Sequence, residues 1–323
     1  MKRFVAFAML IVFFVVGVPL IIGTTLGNGV ELKLKELGKT KVPDTIDVWL
    51  TEEKKTVSVD FEEYVIRVTA SEMPANFEEE ALKAQSVAAR TYAMAKIIKY
   101  KEKHPETHPS APVCDTTHCQ VYKTEKELID CHPKGWKDSF KKLKKACKAT
   151  KGELLYYEGE LVMQPLFFSS SGGQTENSED VFSGAYPYLV SVSSPYEESA
   201  SHKDESKSFT VKELKRAVEE LYSDRKPGDV GIDNIKILSR TAGGRVDEMQ
   251  IGDAVYKGTE VRNALGLSSA LFGLSFKENV VVFTSSGYGH GVGMSQHGAN
   301  GMAKEGYDYK KILTHYYTGT DVY

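Results

Sequence analysis

The 323-residue chain has no surplus of either charge. Its 41 Lys and Arg stand against 44 Asp and Glu, a net of −3. A chain this close to neutral has no general electrostatic claim on nucleic acid. Cysteine is scarce, with Cys114, Cys119, Cys131 and Cys147 alone. Four in a chain of this length do not make a disulfide framework. No internal repeat is found, which excludes a solenoid or propeller. No G-x-S-x-G elbow, Walker A loop or dinucleotide fingerprint is present, which removes the commonest serine-hydrolase and nucleotide readings. Apolar residues at 41% and charged residues at 26% also exclude wholesale disorder, collagen and a multi-span membrane protein.

Long apolar runs are missing too, with one exception. Phe4 to Gly23 carries no charge. As a helix it would be roughly 30 Å long, enough to cross a hydrocarbon core. Lys2 and Arg3 precede it, and Gly23-Thr24-Thr25-Leu26-Gly27 is a poor cleavage site. The run reads as an uncleaved signal-anchor over 1–27, followed by a polar tether over 28–41. Lys33, Lys35, Lys39 and Lys41 blur the charge rule for its orientation.

The body, 42–323, mixes helices and hairpins without a βαβ rhythm, so the expected class is α+β. The chain's length allows about two domains. Strands are predicted at Val42–Leu50 and Val57–Val59, then a helix over Phe61–Ala70. Pro74 breaks the chain, and a longer helix runs from Glu78 to about Tyr100. A His/Cys-rich insertion spans about 103–132. A basic helix covers Trp136–Thr150, and Glu153–Tyr157 with Leu161–Phe168 reads as a hairpin. Thr210 opens a capped helix. Ile235–Arg240 and Val246–Ile251 form a second hairpin, and Val280–Thr284 a buried strand. The glycine-dense 287–301 runs into a helix over 307–317.

Five constellations could carry chemistry. Glu72 sits at a helix break beside Met73, Pro74 and Phe77. Apolar surroundings raise a carboxyl's pKa and suit it to general acid work; it could equally favour the dipole of the next helix. Arg90, amid small residues, could orient Glu72, grip a substrate carboxylate or form a structural ion pair. Ser169-Ser170-Ser171-Gly172-Gly173-Gln174-Thr175 offers hydroxyls and N–H groups to a sugar, or is a solvated loop. In Gly287 to Gly298 so many glycines imply close backbone approach and tight packing around a groove; His290 and His297 could instead bind a metal, though no third ligand stands nearby. His108, Cys114, His118 and Cys119 form a soft N/S set suited to Zn²⁺. A Cys114–Cys119 disulfide is the alternative, and Cys131, His132 and Cys147 could add ligands or pair.

In order along the chain stand Glu72-Met73-Pro74, Ala81-Leu82-Lys83-Ala84-Gln85, Ala88-Ala89-Arg90-Thr91-Tyr92, Ser171-Gly172-Gly173-Gln174-Thr175 and Gly289-His290-Gly291-Val292-Gly293-Met294-Ser295-Gln296-His297-Gly298-Ala299. Together these resemble the stage II sporulation protein D family, shared with amidase enhancers, over roughly 43–323. The resemblance implies a lytic transglycosylase acting on peptidoglycan strands during engulfment in endospore formation. It also implies two lobes of a single unit bordering one substrate cleft. It places the catalytic acid on Glu72. Arg90, Gln85, Tyr92, Ser169, Ser170, Ser171, Thr175, His290 and Gln296 are expected to bind substrate. The Ser169–Ser171 loop and Gln296 would stabilise the charge that develops at the sugar. His108, Cys114, His118 and Cys119 resemble a structural zinc loop found in some members. Implied partners are stage II sporulation proteins P and M, with no nucleic acid. The implied location is the cell membrane, with the body facing the wall. The competing reading is a non-catalytic glycan-binding enhancer of a wall amidase.

Overall fold

The computed structural model describes residues 40–131, 136–198 and 200–323. The signal-anchor expected over 1–27 and nearly all of the tether lie outside them. Among the described residues no helix is long and apolar enough to cross a membrane.

The body is mixed α+β, built on several small sheets. β1 (Thr45–Leu50) and β2 (Lys55–Asp60) form an antiparallel hairpin. The strand starts at Thr45 rather than Val42, past Pro43, which cannot donate to a ladder. Asp60 caps α1 (Phe61–Glu72), its side chain accepting from the Glu63 N–H at 2.9 Å. Met73 is extended, as the following proline demands, and the helix ends on Glu72. α2 (Glu79–Glu102) buries its N-terminal two-thirds. Ala81, Ala84, Ala88 and Ala89 let neighbouring helices approach closely on several sides.

β3 (Val113–Cys114) pairs in parallel with β1, bringing the His/Cys segment onto the first sheet. α3 (Glu125–Cys131) and α4 (Trp136–Ala149) follow. β4 (Leu155–Tyr157) and β5 (Glu160–Leu161) make a short hairpin. It is shorter than the sequence suggests, because Pro165 interrupts the second arm. β6 (Phe167–Phe168) lies beyond it and pairs in parallel with β13 (Met294–Ser295). A short α5 (Ser178–Val181) lies in the loop that follows.

Residues 205–285 carry a core of their own. β7 (Glu205–Thr210) leads into α6 (Val211–Leu221) through the expected capping box at Thr210. β8 (Ile235–Arg240), β9 (Val246–Ile251) and β10 (Ala254–Lys257) form one sheet. α7 (Gly258–Leu265) packs on it. β11 (Phe272–Lys277) and β12 (Val280–Ser285) join β7 in another. Leu214, Val218, Met249, Tyr256, Val281 and Phe283 are among the residues that close this core, and none from outside the segment joins it. Two further apolar clusters fill the rest of the body. One lies under β1 and α1, and the other lies among α2, α4, α8 (Gln296–Lys304) and α9 (Tyr309–Tyr316). β14 (Thr320–Val322) ends the chain against β4.

One buried ion pair stitches the inserted segment to the rest. Arg245, on β9's approach, meets Glu176 at 3.2 Å, and both side chains are almost wholly buried. The same guanidinium donates to the Ser171 carbonyl at 3.1 Å. Removing one member would cost about 3–5 kcal/mol, because the other charge would be left buried. Gly291 makes room for it. Its φ is +90°, and a Cβ there would sit 2.3 Å from the Arg245 Cζ.

Candidate active-site cleft

A cleft of about 750 Å³ opens between the α1–α2 break, the His/Cys loop, the Ser/Gly loop, the glycine-dense loop and α7. That volume is ordinary for a ligand site. Glu72, Tyr92, Ser169, His290 and Gln296 all line it, as do Pro74, Phe77, His118 and Cys119. Thus five of the residues expected in catalysis and substrate binding, and two of the expected metal ligands, meet there.

Glu72 projects from the last turn of α1. Burial pushes its carboxyl above the ordinary value, and a hydrogen bond from the Val121 N–H at 2.7 Å partly opposes the shift. The environment therefore favours the protonated acid while fixing one oxygen in place. Glu72 is the only Asp or Glu among the described residues that line the cleft. Val121 had no sequence signal, since its contribution is a backbone N–H brought in by the His/Cys loop.

His290 has both ring nitrogens committed. Nε2 lies 3.1 Å from the Phe167 carbonyl, which can only accept, so Nε2 carries the proton. Nδ1 accepts from the Val292 N–H at 3.1 Å. Burial lowers its pKa to about 4, so the imidazole is neutral near pH 7. It shapes the wall as a ring against Phe168 and Phe182 rather than as a hydrogen-bonding group for substrate. Tyr92 is buried, and burial holds its phenol protonated.

The remaining expected substrate contacts fall elsewhere. Arg90 has no exposed surface. Its Nε and Nη2 pair with both Glu62 oxygens at 2.9 and 2.8 Å, and Nη1 donates to the Glu153 carbonyl at 3.2 Å. It is a structural cation that ties α1 to α2, and it reaches neither Glu72 nor the cleft. Gln85 is buried behind the wall, where its Oε1 accepts from the Gln296 amide at 3.4 Å. Ser170 faces a separate hollow. The Ser171 hydroxyl and N–H both bind Glu197, each at 2.8 Å. Thr175 is spent on the Val192 backbone. Of the Ser/Gly loop, only Ser169 reaches the cleft.

Glu197 explains why. Its carboxylate also accepts from the Gly172 N–H and the Ser194 and Ser295 hydroxyls. Five donors from three segments satisfy one buried anion. The Ser171 hydroxyl, which reads in the sequence as part of a sugar-binding set, thus belongs to the internal shell of this carboxylate.

His108, Cys114, His118 and Cys119 do converge. Their donor atoms all lie within 4.8 Å of one another, and all four cysteines are free. Cys114 and Cys119 Sγ each lie 3.7 Å from His118 Nδ1, and Cys119 Sγ lies 3.5 Å from His108 Nε2. Tetrahedral Cys and His ligands about 2.0–2.3 Å from a zinc ion would stand about 3.3–3.8 Å apart. His108 Nδ1 is held by the Ala111 carbonyl at 2.8 Å, which leaves Nε2 as the free donor. Interaction with Cys119 holds the Cys114 thiol well below its ordinary value, favouring a thiolate there. The neighbours His118 and Cys119, awkward on paper, both reach the cluster. The residues fit a four-coordinate metal.

Comparison with known proteins shows the family of the chain. A model of a family described as stage II sporulation protein matches residues 51–157, which span α1, α2 and the His/Cys loop. Stage II sporulation protein D of Bacillus subtilis (strain 168) is 37% identical over 280 residues, covering 87% of this chain and 79% of that protein. The chain belongs to the stage II sporulation protein D family. The family member from Bacillus amyloliquefaciens is 36% identical over 296 residues, covering 91% of this chain and 82% of its own. An amidase enhancer from Bacillus subtilis (strain 168) is 30% identical over 304 residues, covering 78% of this chain but 39% of the enhancer. This family member is a sporulation protein of a cell-wall-related family.

Proposed function

We propose that this protein is a peptidoglycan lytic transglycosylase. It cuts the bond between N-acetylmuramic acid and N-acetylglucosamine in strands stripped of stem peptides, during engulfment. The observation that carries the reading is Glu72, a carboxyl of raised pKa and the only one among the described residues lining the cleft.

Hydrolysing glycosidases ordinarily pair two carboxyls, one as acid and one as nucleophile or base. A lytic transglycosylase needs one. Glu72 donates its proton to the bridging oxygen as the bond from muramic C1 to that oxygen breaks. The oxygen leaves as the free hydroxyl of N-acetylglucosamine. The muramic C6 hydroxyl attacks C1, and its proton passes to the Glu72 carboxylate. No water is consumed, the acid is regenerated, and the product carries a 1,6-anhydro end. The Val121 N–H holds the non-transferring oxygen throughout. The Ser169 hydroxyl and Gln296 amide supply dipoles to the developing positive charge at C1.

His108, Cys114, His118 and Cys119 would hold a zinc ion. With four protein ligands the site is closed, and the metal's chemistry is to cross-link the loop. That loop delivers Val121 to Glu72. An N-terminal anchor would hold the body on the outer face of the membrane, toward the wall. A wall amidase, stage II sporulation protein P, would remove stem peptides first, with stage II sporulation protein M as membrane scaffold.

The test uses purified protein and stripped strands, with mass spectrometry for anhydro ends. Full activity in Glu72→Gln would falsify the assignment. The amidase-enhancer relative favours a second reading, in which the cleft binds glycan and a partner cuts. Anhydro ends made by the protein alone exclude it.

A further inference from the structure

Arg262 is the only Lys or Arg among the described residues that line the cleft. It projects from α7, in the inserted segment, and the Ser268 carbonyl just beyond that helix accepts from the Gly289 N–H at 3.1 Å. Among the described residues no ion pair or hydrogen bond satisfies its guanidinium, and its Nε is buried and unpartnered. Other buried or half-buried arginines in the body are paired. Arg90 has Glu62, Arg225 has Glu260 and Arg245 has Glu176. An orphaned cation facing a cavity is arranged for an anion that arrives from outside.

The neighbours fit a sugar acid. His290 beside it is neutral and cannot compete for an anion. Tyr288 is 46% exposed and lines the same cleft, offering a ring face to a pyranose. Partial burial weakens water's hold on the guanidinium and strengthens any bidentate contact it makes.

We propose that Arg262 binds the free lactyl carboxylate of a stripped muramic acid residue, and so selects strands whose stem peptides are gone. An amide-linked stem peptide replaces that carboxylate with a neutral group, which leaves the guanidinium unpaired. The inference rests on the glycan-strand reading above. It transfers to Arg262 the carboxylate-gripping role that the sequence suggested for Arg90.

The experiment measures binding, in a Glu72→Gln background that cannot turn over the ligand. Stripped strands are compared with the same strands after methyl esterification of the lactyl carboxylates. The parent should prefer the free acid by about ten- to a hundredfold, the range of a hydrogen bond to a charged group. Arg262→Gln should lose that preference while keeping its affinity for the ester, and Arg262→Lys should recover part of it. Equal loss on both ligands would mean a structural role and overturn the proposal. So would an unchanged preference in Arg262→Gln, or none in the parent. Failure of the catalytic reading looks different. The protein with Glu72 intact would then make no anhydro ends, while acid-selective binding through Arg262 persisted.

Discussion

The two walls of the cleft treat charge in opposite ways. On the side built by α1, α2 and the His/Cys loop, the key ionisable groups are tied. Arg90 is locked to Glu62, and Glu72 is held through Val121. On the wall built by α7 and the glycine-dense loop, Arg262 has no partner among the described residues and Tyr288 is partly exposed. A satisfied buried charge is architecture, while an unsatisfied one at a cavity edge awaits a ligand. One wall therefore positions a proton, and the other is free to choose what approaches it.

The largest effect should fall on the tied wall's chemistry. Glu72→Gln should lower the rate of anhydro-end formation by about 10²- to 10⁴-fold, the usual weight of a general acid. Circular dichroism should stay unchanged, because glutamine still accepts from Val121. Next comes architecture. Arg90→Met should cost about 3–5 kcal/mol in urea unfolding, since it strands Glu62. Arg262→Gln should stay within about 0.5 kcal/mol of the parent, as for a substitution that breaks no native partner. Equal destabilisation by the two would erase the contrast between the walls.

Metal removal should be intermediate. Purified protein should carry one zinc, lost in Cys119→Ser, and chelation should lower the melting temperature. Metal-free protein with an unchanged melting curve would remove zinc from the account. The pH profile should be subtler. Glu72 must be protonated, so activity should fall as pH rises through its raised pKa, above the ordinary carboxylate range. His290, at about 4, should add no limb between pH 5 and 8. The smallest effect is on stability. A carboxyl raised by folding stabilises below its unfolded pKa and loses that contribution as pH rises through the folded one. Glu72→Gln escapes the loss, so its melting temperature should overtake the parent's above weakly acidic pH.

The sequence was legible where local rules decide. Pro74 marked the break that presents Glu72, and Thr210 and Glu213 announced α6. The soft donors at 108, 114, 118 and 119 suggested the cluster they form. It was illegible where tertiary approach decides. Arg90 looked like a substrate ligand because its partner lies 28 residues away on another helix. Ser171 looked free because Glu197, which binds it, carries no motif. Arg262 lies on a short amphipathic helix, where any arginine reads as surface. β7 and β11 were missed for a related reason, since β7 is exposed over nearly all its length and β11 over its second half, with no alternation to read. α8 was missed because Gly298 and Gly301 read as loop. In the fold they are small so that Tyr316 and the Tyr196 backbone can pack against the helix.

The cleft also has a history in time. Glu72 leaves the ribosome well over two hundred residues before Gln296 and His297, which complete its surroundings. The segment 205–285, with its private core, can fold in the interval. Until the C-terminal stretch arrives, β6 lacks its partner strand β13, and Glu197 lacks the Ser295 hydroxyl. A nascent or truncated chain therefore holds an acid with no pocket around it. On the reading proposed above, an acid that cuts wall glycan would stay harmless until that stretch has been made.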